Sequence, residues 1–212
     1  DQRRVVPLIK RSIEKLAPGA PVDGIGISAP EAIDKERGIM LHQTNLAWHN
    51  FHLVSQLQKE YDCPIHLEND ATCGGVAEAR QGAGRSYHRT LYISISTGIG
   101  CSFIVSGSPA QGQHNPEAGK MIILADKTLT TLEAWASGKA IVAQYGKIAA
   151  DIHDKATWQQ IATRLAIVVH NLAILYSPDI IVLGGGVSVH FDRFIKPLTV
   201  EINKLPHPYP YP

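Results

Sequence analysis

The sequence has no excess of either charge, few cysteines and no long apolar run. It holds 20 Lys and Arg against 19 Asp and Glu, and because the basic residues are scattered, no nucleic-acid-binding surface is expected. No apolar run reaches the about 18 residues of a membrane span, so no membrane partner is expected. Cys63, Cys73 and Cys101 have neither disulfide-framework nor zinc-ribbon spacing, which favours the reducing cytoplasm.

Several motifs are also missing. The absence of a G-x-x-x-x-G-K-[ST] segment excludes the P-loop class, and no G-x-G-x-x-G run follows the last apolar strand, so a dinucleotide fold is not indicated. His49 and His52 are three residues apart but have no companion ligands, so we interpret them as solvated and predict no metal site. The chain starts at Asp1 rather than Met, and we expect it to begin inside a larger architecture.

The spacing of the apolar residues predicts alternating helices and strands, and therefore an α/β protein. Helices are predicted at 2–16, 51–61, from 71 onward, 131–136, 139–145 and 158–175. Strands are predicted at 22–28, 65–68, 91–96, 101–105, 121–124 and 179–183. Residues 29–48 are interpreted as a loop, and the proline-rich tail from Leu205 as extended or disordered. A Gly-rich segment at 81–89 divides two predicted lobes, 1–88 and 89–212.

Glu68-Asn69-Asp70 lies where a predicted strand gives way to a helix. The carboxyl ends of strands are where open α/β sheets gather ligands, and a carboxylate there can accept a proton from a substrate hydroxyl. The helix N-terminus also favours negative charge. Taken alone, these residues fit a plain helix N-cap equally well.

Two glycine-rich segments are candidates for binding phosphate or nucleotide. The 96–100 turn could form an anion-binding nest, although a tight hairpin that needs positive φ accounts for the same glycines. Gly184-Gly185-Gly186 follows a buried strand and would let a ligand approach the backbone. Close packing of a strand against a helix explains these three glycines as well.

Six segments in chain order resemble the motifs of the ROK family, which comprises repressors, open reading frames and kinases. They are GIGISAP at 24–30, ENDAT at 68–72, STGIG at 96–100, EAG at 117–119, LEAWASG at 132–138 and SPDIIVLGGGV at 177–187. Together they span nearly the whole chain. Six motifs in family order are far more specific than any one of them.

The resemblance implies the actin-like ATPase fold, with two ribonuclease-H-like lobes that close on Mg²⁺-ATP and a sugar, here lacking the N-terminal β-hairpin and the C-terminal closing elements. It implies phosphorylation of a hexose or hexose derivative, with Asp70 as general base. The implied sugar ligands are Asn45, Asn69, Glu117 and Glu133. The implied nucleotide-side residues are Thr97, Gly98, Gly184, Gly185 and Gly186.

The sequence departs from the family pattern in several places. Lys120 stands where many members have a zinc-binding His, and 125–131 runs straight into Leu132-Glu133 without the Cys-rich zinc loop, so zinc is not expected. The first phosphate loop, Asp-x-Gly-Gly-Thr, is absent, and no closing strand and helix are recognisable after 200–205.

Two other functions fit the same resemblance. One is a transcriptional repressor that binds a sugar as effector and carries its DNA-binding module before Asp1. The other is a sugar-binding protein without catalysis, which the missing loops suggest. The presence of Asp70 favours the kinase. The resemblance names no particular sugar and leaves the oligomeric state open, with a homodimer as one expectation.

Overall fold

The computed structural model describes residues 2–43, 48–110, 115–125, 127–208 and 210–211. By its contacts the chain divides into two compact units, Asp1–Cys73 with Gly112–Asn115 and Gly74–Gln111 with Pro116–Pro212. This division follows contacts alone and falls inside a helix. The assignment of 1–88 and 89–212 to two functional lobes therefore stays a prediction.

The first unit contains two small sheets. Its strands are β1 Ile25–Ala29, β2 Ala32–Asp34, β3 Ile39–Gln43, β4 Trp48–Phe51 and β5 Ile65–Asn69, and its helices are α1 Val5–Leu16 and α2 Leu53–Leu57. β1 pairs in parallel with β5, whereas β2, β3 and β4 form an antiparallel sheet in that order. Buried side chains from both sheets and α2 form one core, with Leu57 fully buried.

The loop predicted for residues 29–48 is wrong, because this region holds β2 and β3, and β4 begins at its last residue. They are three to five residues long, and the β2–β3 turn is charged, so the apolar alternation is too short to stand out. In that turn the Arg37 N–H donates to Asp34 Oδ1 at 2.9 Å, and Gly38 takes a positive φ of 67°. The helix predicted at 51–61 is shorter in the structure, where α2 spans only Leu53–Leu57 and Phe51 is the last residue of β4.

The second unit contains a larger mixed sheet and most of the helices. Its strands are β6 Arg89–Ile95, β7 Ile99–Val105, β8 Ser108–Pro109, β9 Ile122–Ala125, β10 Thr128–Thr131 and β11 Ile180–Gly184. Its helices are α4 Leu132–Ala136, α5 Gly138–Tyr145, α6 Lys155–Tyr176 and α7 Phe191–Ile202, while α3 Asp70–Gln81 begins in the first unit and ends here. The sheet order is β11-β6-β7-β8, with β11 parallel to β6 and the other pairs antiparallel.

Helix α6 organises the core of the second unit. It packs against α7 and β6, and nine of its side chains are buried, as the apolar 158–175 pattern predicts. It begins three residues earlier than predicted because the Asp154 side chain caps it by accepting from the Thr157 N–H at 2.8 Å. That hydrogen bond lowers the pKa of Asp154. Among the described residues, none of the helices has the combined length and apolar character of a membrane span.

Helix α7 and strands β8 and β10 of the second unit were not predicted. Helix α7 buries Phe194, Leu198 and Ile202 at helical spacing, but Pro197 inside it argues against a helix in the sequence. β9 corresponds to the strand predicted at 121–124, and it pairs with β10 in a hairpin in which Leu124 lies opposite Leu129, both exposed. This hairpin takes up the part of the sequence where the family's zinc loop is missing. The described residues after Leu205 have neither helix nor strand.

Cys101 lies on β7 and is 1% exposed. Burial raises the pKa of its thiol to about 11, with an opposing contribution from its backbone contact at Ala118. Cys63 and Cys73 are partly exposed, and all three cysteines are free thiols. Because the thiolate is the reactive form, Cys101 is an inert core residue.

Alkylation should therefore distinguish the three thiols. In the folded protein at about pH 8, iodoacetamide should modify Cys101 far more slowly than Cys63 or Cys73, because its thiol is both buried and protonated. Peptide mass spectrometry would follow each site, and in denaturant the three rates should converge. Rapid native labelling of Cys101 would contradict its place in the core.

Candidate functional site

The junction between β5 and α3 carries the Glu68-Asn69-Asp70 segment. β5 runs parallel to β1 with Asn69 opposite Ala29, so the carboxyl ends of both strands lie at one edge. Such an edge is the usual ligand-binding position in open α/β sheets. The sequence prediction of a strand-to-helix junction at these residues is confirmed.

Asn69 is the residue that holds this junction together. Its Oδ1 accepts hydrogen bonds from the backbone N–H groups of Ala71, at 3.0 Å, and Thr72, at 3.2 Å. Its Nδ2 donates to the carbonyl oxygen of Glu31 at 3.2 Å, which connects the junction to the loop after β1. Asn69 is only 6% exposed. It therefore supplies the N-cap interaction of α3, and its Nδ2 group carries a second hydrogen besides the one given to Glu31.

Asp70, by contrast, is exposed at the first turn of α3. Its Oδ1 accepts from the Ala71 N–H at 2.8 Å. A carboxylate has about four lone-pair sites, so this contact leaves acceptor capacity on the same group. Because Asn69 does the capping of the Thr72 N–H, the simple N-cap interpretation does not account for Asp70.

In the second unit, the turn between β6 and β7 forms the centre of the candidate site. Ser96 and Thr97 on this turn are exposed. The Ser96 carbonyl accepts from the Gly138 N–H at 2.7 Å, and the Thr97 carbonyl from the Lys139 N–H at 3.4 Å. The start of α5 thereby holds the turn in place. Among the described residues, the glycines with positive φ do not include Gly98, so the positive-φ explanation for this turn does not apply to it.

The carboxylate of Glu133 lies directly beside this turn. A Cβ on Gly98 would stand 2.9 Å from Glu133 Oε2, and a Cβ on Gly119 would stand 3.0 Å from the same oxygen. Thr131 caps α4 by accepting from the Ala134 N–H at 3.2 Å, which places Glu133 in the first turn of that helix. The structure thus brings Gly98 and Glu133 together, two residues that the sequence assigned to different ligands.

Lys120 forms an ion pair with Glu133 through Nζ and Oε1. The Glu133 side chain is 28% exposed and the Lys120 side chain 54%, so the pair lies at the surface of the site. Sequence reasoning treated Lys120 only as the replacement of a zinc-binding His and missed this contact. The motif at 117–119 directly precedes Lys120, and the motif at 132–138 contains Glu133, but neither motif predicts that the two side chains form a pair.

The three glycines after β11 differ in their surroundings. A Cβ on Gly184 would stand 2.2 Å from the Tyr92 hydroxyl oxygen, and one on Gly185, where φ is 86°, would stand 2.5 Å from the Ile95 carbonyl oxygen. Close packing explains these two glycines. Gly186 has no atom within 4 Å of an added Cβ, so its backbone faces open space that a ligand can enter. The Val187 N–H donates to the Ile95 carbonyl at 3.0 Å, which joins this loop to the β6 end of the turn.

The remaining predicted residues are placed as follows. Glu117 is exposed just before a 3₁₀ turn at Ala118–Lys120, and its carbonyl accepts from the Lys120 N–H at 2.9 Å. Asn45 lies outside the described residues, so its predicted sugar contact stays a prediction. Within the part of the chain that is described, no three His, Cys, Asp or Glu side chains surround a common metal position.

A family model described as the ROK family matches residues 4–209. A glucokinase from Halalkalibacterium halodurans is 28% identical over 213 residues, covering 82% of this chain and 64% of its own length. A xylose repressor from Caldicellulosiruptor bescii is 25% identical over 240 residues, covering 95% of this chain and 60% of its own length. The chain thus spans less than two thirds of either relative.

A solved structure shows the same fold. It is a ROK family glucokinase from Streptomyces griseus in complex with glucose and AMPPNP, with a TM-score of 0.79 and 21% identity over 97% of this chain and 81% of the other. The predicted actin-like ATPase fold is therefore confirmed.

Replacing Asn69 should destabilise the protein more than replacing its neighbour. We expect Asn69→Ala to lower the free energy of unfolding by about 1 kcal/mol or more, since it removes an N-cap and the bond to Glu31. Urea denaturation followed by circular dichroism would measure it. Asp70→Asn is the matched control, and it should leave the stability nearly unchanged. Equal losses in both variants would refute the assignment of the cap to Asn69.

Proposed function

The chain belongs to the ROK family, and on this basis we propose that it forms the greater part of an ATP-dependent kinase acting on a hexose or hexose derivative. The observation that carries the proposal is the exposed carboxylate of Asp70 beside a buried Asn69. Asn69 and Asp70 have different roles at the end of β5. The buried Asn69 side chain hydrogen-bonds the backbone, whereas the Asp70 carboxylate lies at the surface. Similarity to a glucokinase supports the same activity.

Asp70 is proposed to act as the general base. Its carboxylate would accept the hydrogen bond of the acceptor hydroxyl, orient it and take its proton as the phosphoryl group is transferred. The first turn of the 12-residue α3 stabilises negative charge at this position through the helix dipole. Phosphoryl transfer has a loose transition state, so aligning the reactants is the main task of the protein.

The nucleotide is proposed to bind in the second unit. The exposed Ser96 and Thr97 hydroxyls and the open backbone at Gly186 are suited to contact phosphate and adenosine groups respectively. Mg²⁺ bound with the nucleotide would supply positive charge that offsets the negative charge developing on the phosphates. Mg²⁺ in such sites is usually held by one or two carboxylates together with water and the substrate phosphates, so the proposal does not require a three-ligand protein cluster.

The sugar is proposed to contact Asn69, Glu117 and Glu133, with Asn45 as a further ligand. Carboxylate and amide groups can each pair with a sugar hydroxyl, and a sugar that leaves such groups unpaired is rejected. Lys120 would hold Glu133 in a single orientation and partly offset its charge. Lys120 thereby becomes a positioning residue for the sugar ligand.

A repressor is the second candidate function, because the xylose repressor similarity covers 95% of this chain. A coupled ADP-release assay on the full-length protein, run over a panel of hexoses and hexose derivatives, separates the two. Sugar-dependent ADP release supports the kinase. Sugar binding without ADP release, detected by calorimetry, would contradict the kinase and favour a repressor or another sugar-binding protein.

Asp70→Asn tests the general base. In the full-length protein, we expect kcat to fall roughly 10²- to 10⁴-fold, because the amide cannot accept the proton, while the KM for the sugar changes little. Steady-state kinetics with the best sugar of the panel would measure it, with circular dichroism confirming the fold. An unchanged kcat would rule out this role.

Lys120→Met tests the positioning role. We expect the KM for the sugar to rise ~2- to 5-fold with kcat nearly constant, a range set by the modest strength of an exposed ion pair. Lys120→Arg should restore KM, since it keeps the positive charge beside Glu133. A loss confined to kcat, or no rescue by Arg, would argue against positioning of the sugar ligand.

A further inference from the structure

Two histidines of the first unit face each other across the β3–β4 pair. His42 and His49 are directly opposite in the antiparallel register. Their Nδ1 atoms are 3.0 Å apart, and their ring centroids are 4.7 Å apart with a tilt of 41°. Both side chains are exposed. The sequence pairs His49 with His52 by spacing, whereas the strand register pairs it with His42.

The separation of the two nitrogens matches the spacing of adjacent metal ligands. Imidazole nitrogens bind a transition metal at about 2.0–2.1 Å. If the N–metal–N angle lies between a right angle and the tetrahedral angle, the two nitrogens are about 2.9–3.4 Å apart. The observed 3.0 Å falls inside this range. Imidazole is a preferred ligand of Cu²⁺, Ni²⁺ and Zn²⁺, with Cu²⁺ bound most tightly.

We propose that His42 and His49 form a bidentate site for a divalent transition-metal ion. The ion binds both Nδ1 lone pairs, and water completes its coordination, since no third His, Cys, Asp or Glu joins them among the described residues. Without metal, one Nδ1–H donates to the other Nδ1. Binding moves that ring's proton from Nδ1 to Nε2 through solvent, so both rings bind as neutral imidazoles.

The two histidines are not among the residues assigned to the proposed kinase activity, although Asn45, a proposed sugar ligand, lies between them in the sequence. The metal site uses neither Asp70 nor any residue assigned to the nucleotide, and it lies on strands rather than on the β5–α3 junction. Two adjacent antiparallel strands fix the Cβ positions of both histidines before the ion arrives. This preorganisation distinguishes the pair from histidines that are only near in sequence, such as His49 and His52.

Copper titration of the untagged full-length protein tests the proposal. The first equivalent of Cu²⁺ should give an electron paramagnetic resonance spectrum with superhyperfine splitting from two imidazole nitrogens. His42→Gln and His49→Gln should each abolish that two-nitrogen signal. His66→Gln, which changes an exposed histidine on β5, is the matched control and should leave it intact.

A second measurement uses the unaltered protein, so it does not depend on the variants folding. On addition of Zn²⁺, long-range ¹⁵N–¹H spectra should show the Nδ1 resonances of His42 and His49 shifting together and both rings protonated at Nε2. If these two rings keep their metal-free spectrum while the ion binds elsewhere, or if both single variants retain the copper signal, the pair is only a hydrogen-bonded contact and the proposal is overturned.

Discussion

The candidate site of the second unit depends on two backbone carbonyls that approach glycine α-carbons too closely for any side chain. A Cβ on Gly138 would stand 2.6 Å from the Ser96 oxygen, and one on Gly185 would stand 2.5 Å from that of Ile95. The same carbonyls accept hydrogen bonds from the N–H groups of Gly138 and Val187. The turn after β6 is thereby fixed from two sides, so its exposed hydroxyl groups are carried on a rigid backbone.

At the end of β5, in the first unit, helix capping and the proposed catalysis both require hydrogen-bond acceptors. A helix N-terminus needs acceptors for its free N–H groups, and a catalytic carboxylate that served as the main cap would lose part of its capacity to accept a substrate proton. Asn69 removes that conflict by accepting from two backbone N–H groups itself. Stability and proposed chemistry are therefore assigned to adjacent side chains, one buried and one exposed.

Long or strongly apolar elements could be predicted from the sequence, and short or interrupted ones could not. α6 and β6 have continuous apolar patterns, and the β5–α3 junction has a polar cap after a strand, so all three were located. β2, β3 and β4 are too short to show a regular alternation of apolar residues. Helix α7 was missed because Pro197 inside it argues against a helix. For the candidate site, the motifs suggested individual residues, and their roles stay predictions. The Lys120–Glu133 and His42–His49 contacts depend on chain pairing, which no local pattern encodes.

The position of Glu133 against two glycines restricts how this surface can change during evolution. A Cβ on Gly98 would meet only the Glu133 carboxylate, whereas a Cβ on Gly119 would also stand 2.4 Å from the Ile99 carbonyl oxygen. An alanine at Gly98 therefore requires only that the flexible Glu133 side chain turn aside, whereas an alanine at Gly119 would collide with the main chain whatever residue stands at 133. Substitutions at positions 98 and 133 are therefore coupled to each other, while position 119 is restricted to glycine by the main chain.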